Sequence, residues 1–122
     1  MTDFAALIAR MDEQRAQWLD LSGYPGRRLR YLRPLETDLD QMRVSTLRDM
    51  AASAAEFVDG WSGFTEADML GQAIGSDQPV EFHRGLFLRW VRDRTDVLAE
   101  LGEAIKATLD AHRQAKDQSR KN

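Results

Sequence analysis

The sequence predicts a mainly α-helical single domain, of the α+β class, with a β-hairpin near its N-terminus. Apolar residues recur at helical spacing in several long stretches, while two short segments around a turn-rich pentapeptide show partial period-two alternation. No linker or internal repeat divides the 122 residues, a length that suits one core. We therefore expect one domain over residues 1–111 and a frayed polar tail over 112–122.

Composition narrows the range of functions. The hydrophobic fraction of 43% and the charged fraction of 30% are typical of a soluble globular protein. A formal net charge of -3 provides no overall attraction to nucleic acid, and the lack of cysteine excludes disulfides and thiol catalysis. No apolar run approaches the roughly 20 residues of a membrane helix, and the first residues lack the basic region of a signal peptide. We expect a cytoplasmic protein that does not bind membranes.

The first predicted helix runs to about Arg15, with Thr2 or Asp3 as its N-cap. Four apolar residues at i, i+3, i+4 and i+7 share one face of this helix: Phe4, Leu7, Ile8 and Met11.

A β-hairpin is predicted next, with strands near residues 17–21 and 27–33 around the turn at 22–26. Its second strand carries Arg27, Arg28, Arg30 and Arg33 and ends at Pro34. These arginines could bind phosphates. Because acidic residues flank them, we favour an exposed edge strand whose charges discourage aggregation.

The aromatic stretches at 57–68 and 80–91 are the predicted core. A helix with a period near 3.6 is expected from Glu36 to Val58, with a glycine at its end as a left-handed cap. Trp61 would then fill a corner between helices. The predicted structural anchors are Gly60, Trp61, Gly63, Phe82 and Trp90.

The residue patterns in the second half of the sequence predict three helices. Thr65 is the expected N-cap of a short helix that ends at Gly71, with Asp68 reaching back to the cap. After a loop at 75–79 and an extended segment at 80–82, a short helix carries Leu86, Phe87, Trp90 and Val91. Thr95 or Asp96 is the expected cap of the last helix, whose apolar face consists of Leu98, Leu101, Ile105 and Leu109.

Candidate chemistry is sparse. The two histidines, His83 and His112, show no metal-ligand spacing, and His83 is expected to cap a helix. Nucleophile elbows and phosphate-binding loops are absent from the sequence. We predict a protein that is not an enzyme and has no catalytic, metal or cofactor site.

The layout resembles the small tail assembly chaperones of long-tailed phages and prophages. Three pieces carry the resemblance, which covers about residues 18–105: the basic strand and following helix at 30–39, the stretch Val58-Asp59-Gly60-Trp61-Ser62-Gly63-Phe64-Thr65, and the loop and helix from Pro79 to Asp96.

The resemblance implies a protein that coats the apolar helices of the tape-measure protein before the tail tube forms. Its implied partners are the tape-measure protein and the tube protein, and it is compatible with a homo-oligomer. Met42, Met50 and Met69 would offer an adaptable binding surface, although methionines at helical spacing also fill ordinary cores.

Three alternatives remain open on sequence alone. The first is a helical interaction protein of the Trp-x-Gly secretion type, suggested by Trp61-Ser62-Gly63. The second is a nucleic-acid-binding module that uses the arginine-rich strand. The third is a structural or connector protein of the virion.

Overall fold

The computed structural model describes residues 2–38 and 53–121. Met42, Met50 and most of the helix predicted from Glu36 to Val58 lie outside the described residues. The described elements are α1 (Phe4–Gln14), β1 (Ala16–Asp20), β2 (Arg28–Leu32), a 3-10 helix (Ala55–Phe57), β3 (Val58–Ser62), α2 (Glu66–Leu70), α3 (Arg84–Val91) and α4 (Thr95–Lys121). The predicted fold class, mainly α with an N-terminal hairpin, is confirmed.

In the described residues the sheet has three antiparallel strands in the order β1-β2-β3. The hairpin forms as predicted, with Trp18 opposite Arg30 in its register. The prediction of an edge position for the arginine-rich strand is wrong, because β3 pairs with the other side of β2 and makes it the central strand.

Strand β3 replaces the predicted helix end. The chain leaves the 3-10 helix at Val58, whose φ of -79° and ψ of 127° are extended, so Gly60 lies within a strand and is not a helix cap. Gly63, after the strand, has the positive φ of 88°. Trp61 therefore lies on the sheet and does not fill a corner between helices. Its pairing with the buried Leu29 directs its side chain to the same face of the sheet, toward the core.

The core lies between the inner face of the sheet and helices α3 and α4. The sheet contributes side chains such as Leu29 and Val58, and the predicted apolar faces of the two helices are buried against them. Tyr31 reaches α4, where its hydroxyl lies 2.7 Å from Thr108 Oγ1. The buried residues of the described chain are Leu21, Leu29, Tyr31, Pro34, Ala54, Ala55, Val58, Phe64, Phe87, Trp90, Val91, Val97, Leu101, Ile105 and Leu109.

Helix ends follow local sequence. The capping arrangement of Thr65 and Asp68 forms, and Gly71 ends α2 with a φ of 94°. His83 caps α3, its Nδ1 accepting a hydrogen bond from the Leu86 amide at 3.1 Å. The cap prediction for the last helix is wrong by a residue or two, because Thr95 and Asp96 already lie in its first turn.

The predicted frayed tail is helical in the structure, since α4 continues to Lys121. Polar contacts account for part of this extension. Lys116 Nζ and His112 Nε2 lie 2.8 and 3.3 Å from the Glu36 carboxylate. The hydrogen bonds from Lys116 and His112 lower the pKa of Glu36 to about 2. Among the described residues no helix has both the length and the apolar character needed to cross a bilayer.

Two glycines with positive φ offer a matched test of the turn after β3. A Cβ at Gly63 would overlap the carbonyl oxygen of Gly26, whereas a Cβ at Gly71 would meet nothing within 4 Å. We expect both alanine variants to lose about 1–2 kcal/mol of unfolding free energy through the left-handed backbone. Gly63→Ala should lose about 1–3 kcal/mol more through the clash.

Urea unfolding of Gly63→Ala and Gly71→Ala measures the difference directly. Equal losses would contradict the close approach of the hairpin turn to Gly63.

Candidate functional site

Helix α1 presents an apolar face to solvent. Phe4 is 74% exposed, Leu7 47%, and Ile8 and Met11 59% each. None of the 11 residues of α1 is buried. Exposed apolar side chains that share one helix face form a patch typical of a protein-binding site. We call these four side chains the α1 face.

Local sequence determines where α1 begins. Asp3 is the N-cap, with extended backbone and its Oδ1 accepting a hydrogen bond from the Ala6 amide at 3.1 Å. The C-terminal end is closed by Arg15, which forms an ion pair with Asp12 at 2.7 Å.

Polar contacts attach α1 to the sheet. Arg15 Nε donates a hydrogen bond to the carbonyl oxygen of Arg33 at 2.8 Å, and Glu13 pairs with Arg30 at 2.7 Å. These contacts involve the last turn of the helix and the residue that follows it. They therefore hold one end of α1 on the sheet and leave the α1 face uncovered by them.

The arginine-rich strand is largely neutralised. Arg27 pairs with Asp68, Arg28 with Asp20, and Arg30 with both Glu13 and Asp59, at distances between 2.7 and 3.1 Å. Arg33 donates to the carbonyl oxygen of Pro34. Side chains held by carboxylates are poor phosphate ligands, because binding a phosphate would first break these pairs.

The structure describes one of the three predicted partner-binding methionines. Met69, on α2, is half-buried and packs against the core. Met42 and Met50 lie outside the described residues, so their common surface with Met69 stays a prediction. Met11, which the sequence analysis assigned to an ordinary helix face, is the exposed methionine of the α1 face.

The predicted anchors Trp61, Phe82 and Trp90 belong to a continuous aromatic cluster. Trp61 stacks on Phe64 with ring centroids 4.3 Å apart, and Phe82 meets Trp61 edge to face at 5.5 Å. The full cluster comprises Tyr24, Trp61, Phe64, Phe82, Phe87 and Trp90. A partly open cavity of about 320 Å³ borders Trp61, Pro79 and Phe82. Its lining includes the carboxylate residue Glu81 and the hydroxyl residues Ser62 and Thr65.

Asp68 joins the hairpin to the aromatic cluster. Its carboxylate accepts hydrogen bonds from Arg27 Nε at 3.0 Å and from the Thr65 amide at 2.8 Å, and its carbonyl oxygen accepts one from Trp90 Nε1 at 3.0 Å. Burial alone would raise the pKa of Asp68, but the hydrogen bonds from Arg27 and Thr65 outweigh it, and the pKa lies below its usual value.

Residues 2–38 and 53–121 contain no group of three or more histidine, cysteine or acidic side chains placed to hold a metal ion. His83 caps α3, and His112 faces Glu36. Both histidines therefore have structural partners in the fold.

Sequence reasoning found α1 and its apolar face but assigned no function to it. Periodicity shows that one side of a helix is apolar, but it does not show what covers that side. One signal was available, since a helix followed at once by a strand has little room to fold onto the core.

Comparison of the chain with protein-family models, with curated proteins and with solved structures found no match.

The role of Asp68 can be tested by Asp68→Asn. The variant should lose about 1–3 kcal/mol of unfolding free energy at pH 7, because the half-buried Arg27 would lose its charged partner. The folded pKa of Asp68 lies below the unfolded one. The contribution of the carboxylate is therefore present above about pH 4 and is lost as the pH falls through the folded pKa.

Denaturant unfolding at pH 7 and in acid checks both parts of this expectation. Asp20→Asn is the control: Asp20 also pairs with an arginine, but its side chain is 85% exposed. That pair should contribute about 0–1 kcal/mol. A loss that persists undiminished in acid, or equal losses in the two variants at pH 7, would show that the charge of Asp68 has no special role.

Proposed function

We propose that this protein is a non-enzymatic tail assembly chaperone that binds the apolar helices of a phage tape-measure protein. It would act in the cytoplasm of the host cell, before the tube protein replaces it. The observation that supports the proposal best is the α1 face, a row of exposed apolar side chains on a helix that buries none of its residues. The resemblance of the sequence to tail assembly chaperones supplies the partner.

The energetics of α1 favour a helical partner. An isolated helix of about 11 residues is marginal in water, and most helix stability in proteins comes from packing of an apolar face. A second amphipathic helix can supply that packing by fitting its ridges into the grooves of α1. The tape-measure protein, as a long helical protein with apolar faces, offers many such segments.

The chemistry of the α1 face suits binding to many similar sequences. Phe4, Leu7 and Ile8 provide apolar area without hydrogen-bonding demands, and Met11 adapts its shape to different neighbours. A chaperone must bind successive segments of a long partner and release them later. A short apolar row on one helix provides moderate affinity, because association also costs translational and rotational freedom.

Nucleic-acid binding is the less favoured function. The arginines that suggested it form ion pairs with Asp20, Asp59, Glu13 and Asp68. The net charge of -3 adds no attraction to a polyanion.

The proposal predicts that Ile8→Asp abolishes capture of the tape-measure protein. Co-expression with the long helical protein encoded just downstream, followed by measurement of its soluble and co-purified fractions, is the assay. We expect the co-purified amount to fall about tenfold or more, because a charge at the centre of the α1 face would be desolvated on binding.

Ala9→Asp is the matched control, since it introduces the same charge on the same helix but outside the α1 face, and the residue is also exposed. It should leave capture unchanged. Circular dichroism and thermal melts must show that both variants fold. Equal capture by Ile8→Asp and wild type would remove α1 as the docking surface, and a neighbour that stays insoluble with the wild-type protein would overturn the chaperone function itself.

A further inference from the structure

Within residues 2–38 and 53–121, strand β1 forms an edge of the sheet, and its outer main-chain groups face away from β2. Arg15 O accepts from the Arg33 amide at 2.8 Å, and the Leu21 amide donates to Arg27 O at 3.0 Å, so residues 15 and 21 face β2. In an antiparallel pair this orientation alternates along the strand. Ala16, Trp18 and Asp20 therefore direct their N–H and C=O groups outward. In the described part of the chain these groups have no hydrogen-bond partner.

As far as the structure describes the chain, this edge lacks the features that normally prevent strands from pairing between molecules. Natural edge strands carry lysine, proline, a bulge or an inward-pointing charge. The sequence of β1 is Ala-Gln-Trp-Leu-Asp, without lysine or proline. The register shift of this sheet lies between Arg30 and Tyr31, where β2 pairs with β3. The charge on the strand, Asp20, is paired with Arg28 at 3.1 Å.

The strand is complementary to itself. A two-fold axis at Trp18 places this residue opposite Trp18 of a second copy, and Ala16 opposite Asp20 of that copy. Every outward N–H and C=O of Ala16, Trp18 and Asp20 then has a main-chain partner. The Asp20 side chain lies opposite Ala16 and not opposite another carboxylate. Like charges directly opposite each other would have been destabilising.

The side chain of Trp18 adds apolar contact at the centre of this arrangement. It is 45% exposed, and the Arg28 guanidinium lies 4.6 Å from its ring centroid. Two tryptophans facing each other across an antiparallel pair contribute favourable cross-strand contact. The guanidinium holds the ring over the outer face of the sheet, so that less side-chain freedom is lost on pairing.

We propose that β1 pairs antiparallel with β1 of a second copy of this chain, forming a two-fold dimer with a continuous sheet across both copies. The second copy is favoured over a foreign extended segment because two-fold pairing of β1 with itself places Trp18 opposite Trp18 and Asp20 opposite Ala16. The outward N–H and C=O groups of the two strands then pair with each other. The pairing uses the sheet edge and not the α1 face, so it is independent of tape-measure binding.

Cysteine cross-linking locates the pairing, since the chain has no natural cysteine. Trp18→Cys should form a covalent dimer on mild oxidation, because Cα atoms of directly opposite residues are about 5.5 Å apart, within disulfide range. Gln17→Cys is the control. In the proposed register it lies opposite Leu19 of the second copy and points to the other face, so it should cross-link poorly.

Light scattering of the unmodified protein over a dilution series must give twice the mass of one 13.9 kDa chain. Trp18→Pro should convert the protein to a folded monomer, because the N–H it removes faces outward and the ladder with β2 stays intact. A wild-type monomer at every concentration would overturn the proposal. So would a dimer in which both cysteine variants cross-link equally, or one that survives Trp18→Pro.

Discussion

The packing of six aromatic rings between the sheet and α3 is the interaction on which the rest of the fold depends. Phe64 stacks on Trp61 of β3 and meets Trp90 of α3 edge to face, with centroids 5.2 Å apart in the second pair. The indole N–H of Trp61 donates to the carbonyl oxygen of Val80, and that of Trp90 donates to the carbonyl oxygen of Asp68. Both donors therefore keep a hydrogen-bond partner inside the fold. Because the rings come from the hairpin turn, from β3 and the residues just after it, from the loop at 79–82 and from α3, their mutual packing fixes these parts together.

Sequence reasoning succeeded where the determining interactions are local. The hairpin, the caps of α2 and α3 and the buried face of α4 follow from turn residues, capping side chains and periodicity within a few residues. It missed β3, because pairing of Leu29 with Trp61 joins residues far apart in sequence and overrides the cap preference of Gly60. The end of α4 was misjudged for the same reason, since Glu36 contacts it from the other half of the chain.

The candidate site was predictable only in part. Periodicity identified Phe4, Leu7, Ile8 and Met11 as one face, yet the sequence could not distinguish a covered face from an exposed one. The exposure follows from chain geometry: α1 is joined directly to β1 through Arg15, and its polar contacts hold only its last turn. The described residues therefore divide their apolar side chains between an aromatic core that maintains the fold and an exposed face of α1.

The same substitution at two phenylalanines tests this division of the apolar side chains. Phe87 is fully buried in the aromatic cluster, whereas Phe4 is 74% exposed on α1. Equilibrium unfolding in urea should show that Phe87→Ala loses about 3–5 kcal/mol of unfolding free energy while Phe4→Ala changes it by about 0.5 kcal/mol or less. A large loss for Phe4→Ala would contradict the account, because the α1 face would then belong to the core.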